Sequence, residues 1–293
     1  PCSLQPVLSS PTSPNAEELI EALEKEQARG ARVFGQTMPR CFDLNMRLSE
    51  TSMLLYALPR WKKIMDLPRE QRLEQFKEQK TELVTEMKDA KGMSGSIPFL
   101  KVGSVKADEN LRYQGQYLGA IAQEENKELG EVILDLSIRD NLDTEFQLQN
   151  VINADKQAVA KIVSHPLCHF GASDAGAHIT QFCGTGDTSH LLQHYVRETS
   201  TFSLEEAIHK MTGELAVDWG LADRGTLEEG KAADIVIFNS ETVSVGKEEF
   251  VDDFPGEARR YVRKSEGYDV VIVNGAIAYQ DGRYTETLNG RVV

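Results

Sequence analysis

The sequence predicts an α/β chain that ends in a small β module. Three observations carry this. A helical apolar pattern, a glycine and an apolar strand follow one another over residues 15–37. A short apolar run at 166–170 leads into Gly171-Ala-Ser-Asp-Ala-Gly-Ala-His178, which sets an aspartate among small residues at a strand end. After residue 222 the helical spacing gives way to short apolar runs separated by tight turns. Small neighbours let backbone and ligand approach closely. In parallel α/β architectures the carboxyl ends of the strands carry the chemistry. Asp174 is therefore the first candidate catalytic carboxylate, with Ser173 and His178 as candidates for the pocket around it.

Residues 1–14 are rich in Pro and Ser and read as an irregular lead-in. Asn15 with Glu18 suits an N-cap and capping box. Leu19, Ile20 and Leu23 give that helix its apolar face, and Gly30 suits the C′ position. Residues 31–37 are the following strand, and 39–68 mix signals. Residues 70–91 read as an exposed, charged helix with a thin stripe of Leu73, Phe76, Leu83 and Met87. A strand is expected within 97–110, and helices at 115–126 and from 131. Asp155 caps a helix whose stripe is Ala158, Val159, Ile162 and Val163. Beyond the Asp174 segment, Ser203 and Glu206 form a second capping box for 204–211, and 212–219 is a helix ended by Gly220. Residues 225–230 are a turn, and 233–238 and 268–273 are strands. Asn274-Gly275 is a type I′ hairpin signal that pairs 276–279 back, and Asp281-Gly282 is another.

A net charge of −14, from 32 basic and 46 acidic side chains, excludes nucleic acid and anionic membrane surfaces as partners. The longest apolar runs, such as 234–238 and 270–273, are too short to span a bilayer. Cys2, Cys41, Cys168 and Cys183 form no C-x-x-C pair, so reduced thiols and a cytoplasmic setting are expected. The opening residues Pro1-Cys2-Ser3-Leu4 have no targeting character.

His165, His169 and His178 flank Asp174, in neither His-x-His nor His-Glu-x-x-His spacing. His165 stands at a helix end, where a ring caps carbonyls, and His169 lies in the strand, facing outward or into packing. His190 and His194 are one helical turn apart, a spacing that can chelate, but they read as a solvated face. Gly184-Thr-Gly186 lacks the lysine of a phosphate loop and reads as a flexible connection. Ser173 and Ser94 have no G-x-S-x-G context.

Four segments resemble a known family. They are residues 171–178, Ser203-Leu-Glu-Glu-Ala207 with Met211-Thr212, residues 220–238 (Gly-Leu-Ala-Asp-Arg-Gly-Thr-Leu-Glu-Glu-Gly-Lys-Ala-Ala-Asp-Ile-Val-Ile-Phe), and Val273-Asn-Gly275. Together they are similar to the amidohydrolase superfamily, in its D-aminoacylase (N-acyl-D-amino-acid deacylase) branch. The resemblance covers residues 15–293 and is densest after 160. It implies a metal-dependent (β/α)8 barrel hydrolase with an appended β-sandwich, zinc as cofactor and a small-molecule amide as substrate. Asp174 matches the strand-eight aspartate, which takes the proton from metal-bound water and can touch the metal. Residues 1–222 are then a partial barrel region, with an insertion at about 38–154 that forms a loop or helical excursion after strand seven. Residues 223–293 are the C-terminal β module, part of a composite sandwich.

The departures are specific. No His precedes His165, so the barrel's histidine ligands have no counterpart here. Only two strand steps can be counted, whereas a full barrel takes roughly 200 residues or more. The family's carboxylate-binding Arg after the Asp is missing from Ile179-Thr-Gln-Phe-Cys183. Two expectations follow. One is the C-terminal part of an amide hydrolase whose remaining ligands come from an N-terminal segment or a separate subunit. The other is a non-catalytic fragment or degenerate module that acts only in assembly and hides its strand faces by forming a homo-oligomer.

Overall fold

The computed structural model describes residues 1–4, 6–9 and 16–292. The Asn15 cap lies outside the described residues. Strands, numbered along the chain, form four sheets. β1 (Cys2–Leu4), β2 (Val33–Thr37) and β6 (Cys168–Phe170) are parallel, in the order β1-β2-β6. β3 (Phe42–Met46), β4 (Lys101–Val102) and β5 (Phe146–Ile152) form an antiparallel sheet with β5 in the middle. β7 (Ile235–Phe238), β10 (Tyr268–Val273), β11 (Ala276–Gln280) and β12 (Arg283–Tyr284) are antiparallel in the order β12-β11-β10-β7. β8 (Ser244–Phe254) and β9 (Ala258–Glu266) make a long hairpin.

The parallel sheet has three strands, one more than the sequence suggested. Residues 2–4 look too short and polar for a strand, but their backbone pairs with β2 from Cys2↔Val33 to Leu4↔Gly35. The helix Ala16–Ala28 crosses between these strands and buries Leu23. Gly35 is what admits it, since a Cβ there would lie 2.8 Å from Val7 and 3.1 Å from Leu23. Asp155 caps the helix Lys156–Ser164, accepting from the amides of Gln157 and Ala158, and that helix buries Val159, Ile162 and Val163.

The 38–154 stretch is a folded layer with its own core. The charged run within it is two helices, Arg69–Glu78 and Lys80–Met87, broken at Gln79, where ψ turns to 18°. Phe76 and Leu83 are fully buried, packed with Trp61, Ile64, Ile97 and Phe146 in the largest apolar cluster described. The indole of Trp61 donates to the Leu83 carbonyl at 3.0 Å. The thin stripe read as the contact of an exposed helix is the inner face of this layer.

The C-terminal strands lie where the spacing placed them. Asn274 and Gly275 have φ of 47° and 80°, the pair of positive values a type I′ turn needs. The β8–β9 hairpin was not foreseen. Its pairing slips at Val245/Glu248 and again at Val251/Phe254. Each slip shifts the in–out alternation by a residue and erases the period-two signal.

Candidate functional site at the carboxyl end of the parallel sheet

Asp174 lies four residues beyond the end of β6, on an irregular loop with three non-glycine residues at positive φ: Ala172, Asp174 and His178. Short internal bonds hold the turn. The Ala177 amide donates to the Asp174 carbonyl at 2.9 Å, and the Ala175 amide to Ser173 Oγ at 3.3 Å. Gly184 sits directly beneath. A Cβ on Gly184 would fall 2.2 Å from the Ser173 carbonyl and 2.7 Å from the Ala175 amide. Residues 184–186 thus form a fitted seat rather than a loose connection.

The structure brings Ser173, Asp174 and His178 onto this one loop, with Ser173 half-buried and Asp174 and His178 exposed. The His178 ring stands 6.1 Å from that of Phe182. Among the described residues, Asp174 belongs to no group of three His, Cys, Asp or Glu side chains close enough to hold an ion. The residues present therefore do not complete a zinc site at Asp174.

The loop is anchored by charged groups from distant parts of the chain. Arg40 pairs with Asp187 at 2.6 Å and donates to the Cys183 carbonyl at 3.1 Å. Arg263 donates to the Thr185 carbonyl and to Glu248, both at 3.1 Å. Glu248 in turn accepts from the Cys183 amide at 3.1 Å and from Asn45 at 3.2 Å. Burial pushes the Glu248 carboxyl above its usual range, against the pull of Arg263. The segment that lacks an arginine of its own is thus served by two from elsewhere. Beside it a polar cavity of about 440 Å³ opens between β3/β5 and the hairpin, lined by Arg47, Glu145, Gln147, Phe250 and Tyr261 among others. There Arg47 pairs with Glu145 at 2.7 Å, and the Tyr261 hydroxyl donates to the same carboxylate.

His165, His190 and His194 lie differently from their expected places, whereas His169 takes one of the two expected for it. The His165 ring accepts from the Leu167 amide and meets Glu24 at 3.2 Å, so it caps no carbonyl. His190 and His194 are not a solvated face. They stack at 5.2 Å beside a cavity of about 380 Å³ that also reaches Arg40, Cys41 and Lys156. The helix carrying His194 is wound as a π-helix over Leu191–Glu198, and burial, helped by His194 and Arg40, pushes His190 down to about 4. His169 points into packing. Its side chain is 1% exposed, stacks on Phe34 at 4.6 Å, and places Nε2 2.8 Å from Asp218 and 4.0 Å from Glu214.

A family profile described as "Amidohydrolase family" matches residues 99–279, more than half of the chain. The chain belongs to the amidohydrolase family. Within the family it is D-aminoacylase-like. It is 34% identical over 143 residues to the N-acyl-D-aspartate deacylase of Alcaligenes xylosoxydans xylosoxydans, covering 47% of this chain and 26% of that protein. It is 37% identical over 108 residues to the D-aminoacylase of the same organism, covering 37% of this chain and 20% of that one. A D-aminoacylase crystal structure superposes with a TM-score of 0.51 at 22% identity, over 94% of this chain and 45% of that one. The N-acyl-D-glutamate deacylase from Bordetella bronchiseptica, solved with zinc and a phosphonate inhibitor, gives 0.51 at 19%, over 92% and 44%. At these identities the structural likeness is one of fold. This amidohydrolase chain spans about a quarter or less of these curated relatives and under half of the solved ones. Another D-aminoacylase neighbour is described by its binuclear metal center. Among the described residues no helix is long and apolar enough to cross a membrane.

Proposed function

We propose that this chain carries the proton-transferring aspartate of a metal-dependent amide hydrolase acting on N-acyl amino acids or related small amides. In this reading residues 1–222 are the last steps of a (β/α)8 barrel, with 38–154 inserted, and 223–293 belong to a composite β-sandwich. One observation carries it: in a member of the amidohydrolase family, Asp174 stands on the loop that leaves the carboxyl end of a parallel sheet. A carboxylate mounted there can accept a proton from the water that attacks the amide carbonyl and return it to the leaving nitrogen. Arg40, Glu248 and Arg263 hold the chain just beyond it and fix its position. Zinc at Asp174 requires ligands from polypeptide beyond these residues, on the same chain or a separate subunit. Cys2, Cys168 and Cys183 are free thiols, in keeping with a cytoplasmic setting.

A second reading, assembly without catalysis, is favoured by the exposure of Asp174 and by its belonging to no ligand cluster among the described residues. In that case the open strand faces of the C-terminal sheet would be covered by a second copy.

The test is hydrolysis of N-acetyl amino acids by the chain, alone and combined with any polypeptide encoded directly upstream. The catalytic reading expects turnover that Asp174→Asn lowers by about 10²–10⁴-fold. No turnover in either setting, with an oligomer on sizing, supports assembly instead.

A further inference from the structure

The geometry points to a divalent-metal site at His169, Glu214 and Asp218, separate from Asp174. Glu214 and Asp218 are four residues apart on the helix Gly213–Trp219, so one turn stacks them on the same face. β6 offers them the His169 imidazole, and the three ligand atoms all lie within 4.8 Å of one another. Tetrahedral zinc with N and O ligands at 2.0–2.2 Å sets them about 3.3 Å apart. The observed 2.8 Å to Asp218 and 4.0 Å to Glu214 bracket that spacing.

The ring cannot turn away easily. It is buried, stacked on Phe34, and its Nδ1 has no hydrogen-bond partner among the described residues. All of its polar contacts therefore lie on the side that faces the two carboxylates. In the metal-bound form Nε2 gives its lone pair to the cation, so the single proton of the neutral ring, shared with Asp218 in the metal-free form, moves to Nδ1 by exchange with solvent. One imidazole with two carboxylates suits zinc or another first-row divalent ion, with a fourth position left for water. Lys210 competes, since its ammonium reaches Glu214 at 3.2 Å.

The ligand set keeps this site apart from the proposed chemistry. Arg32, the residue before β2, donates to the carbonyl of Asp218 at 2.8 Å. The helix bearing both carboxylates is thus tied to the amino-terminal end of β2, while His169 pairs with Gln36 one residue before the carboxyl end of that strand, and Asp174 supplies no atom to the cluster. The helix that supplies both carboxylates is also the last before β7. A metal here ties the parallel sheet to the start of the C-terminal strands, which is a structural role.

The experiment is a zinc titration of the Asp174→Asn chain by calorimetry, with circular dichroism as a folding control. It should bind one zinc per chain. Glu214→Gln or Asp218→Asn should weaken that binding roughly tenfold or more, and Lys210→Met should tighten it. In the unsubstituted chain, zinc should shift the ring-nitrogen NMR signals of His169 and leave those of His178 in place, a readout that needs no variant to fold. Affinity weaker than about 0.1 mM, binding indifferent to Asp218→Asn, or a zinc shift confined to His178 would overturn the assignment. Failure of amide hydrolysis bears on Asp174 alone and leaves this result standing.

Discussion

His190 shows how strongly a single position can be governed by its surroundings. Its imidazole is held near pH 4, chiefly by burial, whereas an unfolded chain titrates it near 6.5. Above that value the ring is neutral in both states and adds no slope. Between about 6.5 and 4 the unfolded chain takes up a proton that the folded chain refuses. Stability should therefore fall as pH falls through that window, by about 3 kcal/mol at its lower end. Urea unfolding of the native chain and of His190→Gln, compared from pH 7 to 4.5, should show this slope only in the native chain. The difference isolates His190 from Glu248, whose buried carboxyl is held above the usual range in both. Arg47→Met should leave Glu145 buried with the Tyr261 hydroxyl but no guanidinium, and cost about 3 kcal/mol in the same assay. At this scale the sequence was partly legible. Asp174 could be placed because an apolar run and small residues mark a strand end locally. Arg40 and Arg263 could not, because the carbonyl they share at Cys183 lies 143 and 80 positions away along the chain. Glu214 and Asp218 have no local sequence signal, because their partner His169 lies on β6, 45 and 49 positions away along the chain.

Helix ends follow local chemistry, and both halves of the Ser203–Glu206 box are formed, at 3.2 and 2.8 Å. Ser203→Ala should cost about 1 kcal/mol of stability, measured by thermal or denaturant unfolding. No loss would mean that the helix Leu204–Met211 is held by packing alone. The two charged helices teach the opposite lesson. Their dense charge suggested exposure, yet Phe76 is completely buried. Phe76→Ala should cost about 3–5 kcal/mol, whereas an exposed-helix residue would cost within about 0.5 kcal/mol. Charge density describes the outer face of an element and says little about what the inner face touches. The hairpin β8–β9 was missed for a geometric reason, since two slips in pairing interrupt the alternation by which strands are recognised.

Across the whole molecule, apolar burial is unevenly spread. The largest cluster lies between Leu44 and Phe182, while β7, β10, β11 and β12 contain no fully buried residue. Val236 and Ile277 remain 50% and 42% exposed. Amides of β10 and β11 should accordingly exchange with solvent well before those of β5 in a hydrogen-exchange time course. Equal protection in solution would show that something covers the sheet. Gly184 bears on the molecule in a different way. Asp174, the proposed proton acceptor, is positioned by a residue with no side chain, and a single added methyl group would collide with the backbone on either side of it. In a saturation library every replacement at 184 should score as damaging whatever its polarity, because the collision begins at Cβ. Mutational tolerance around this loop would then map the space available rather than the chemistry. Under the proposed function, a scan of activity alone would rank Gly184 beside Asp174, although Gly184 has no side chain with which to move a proton.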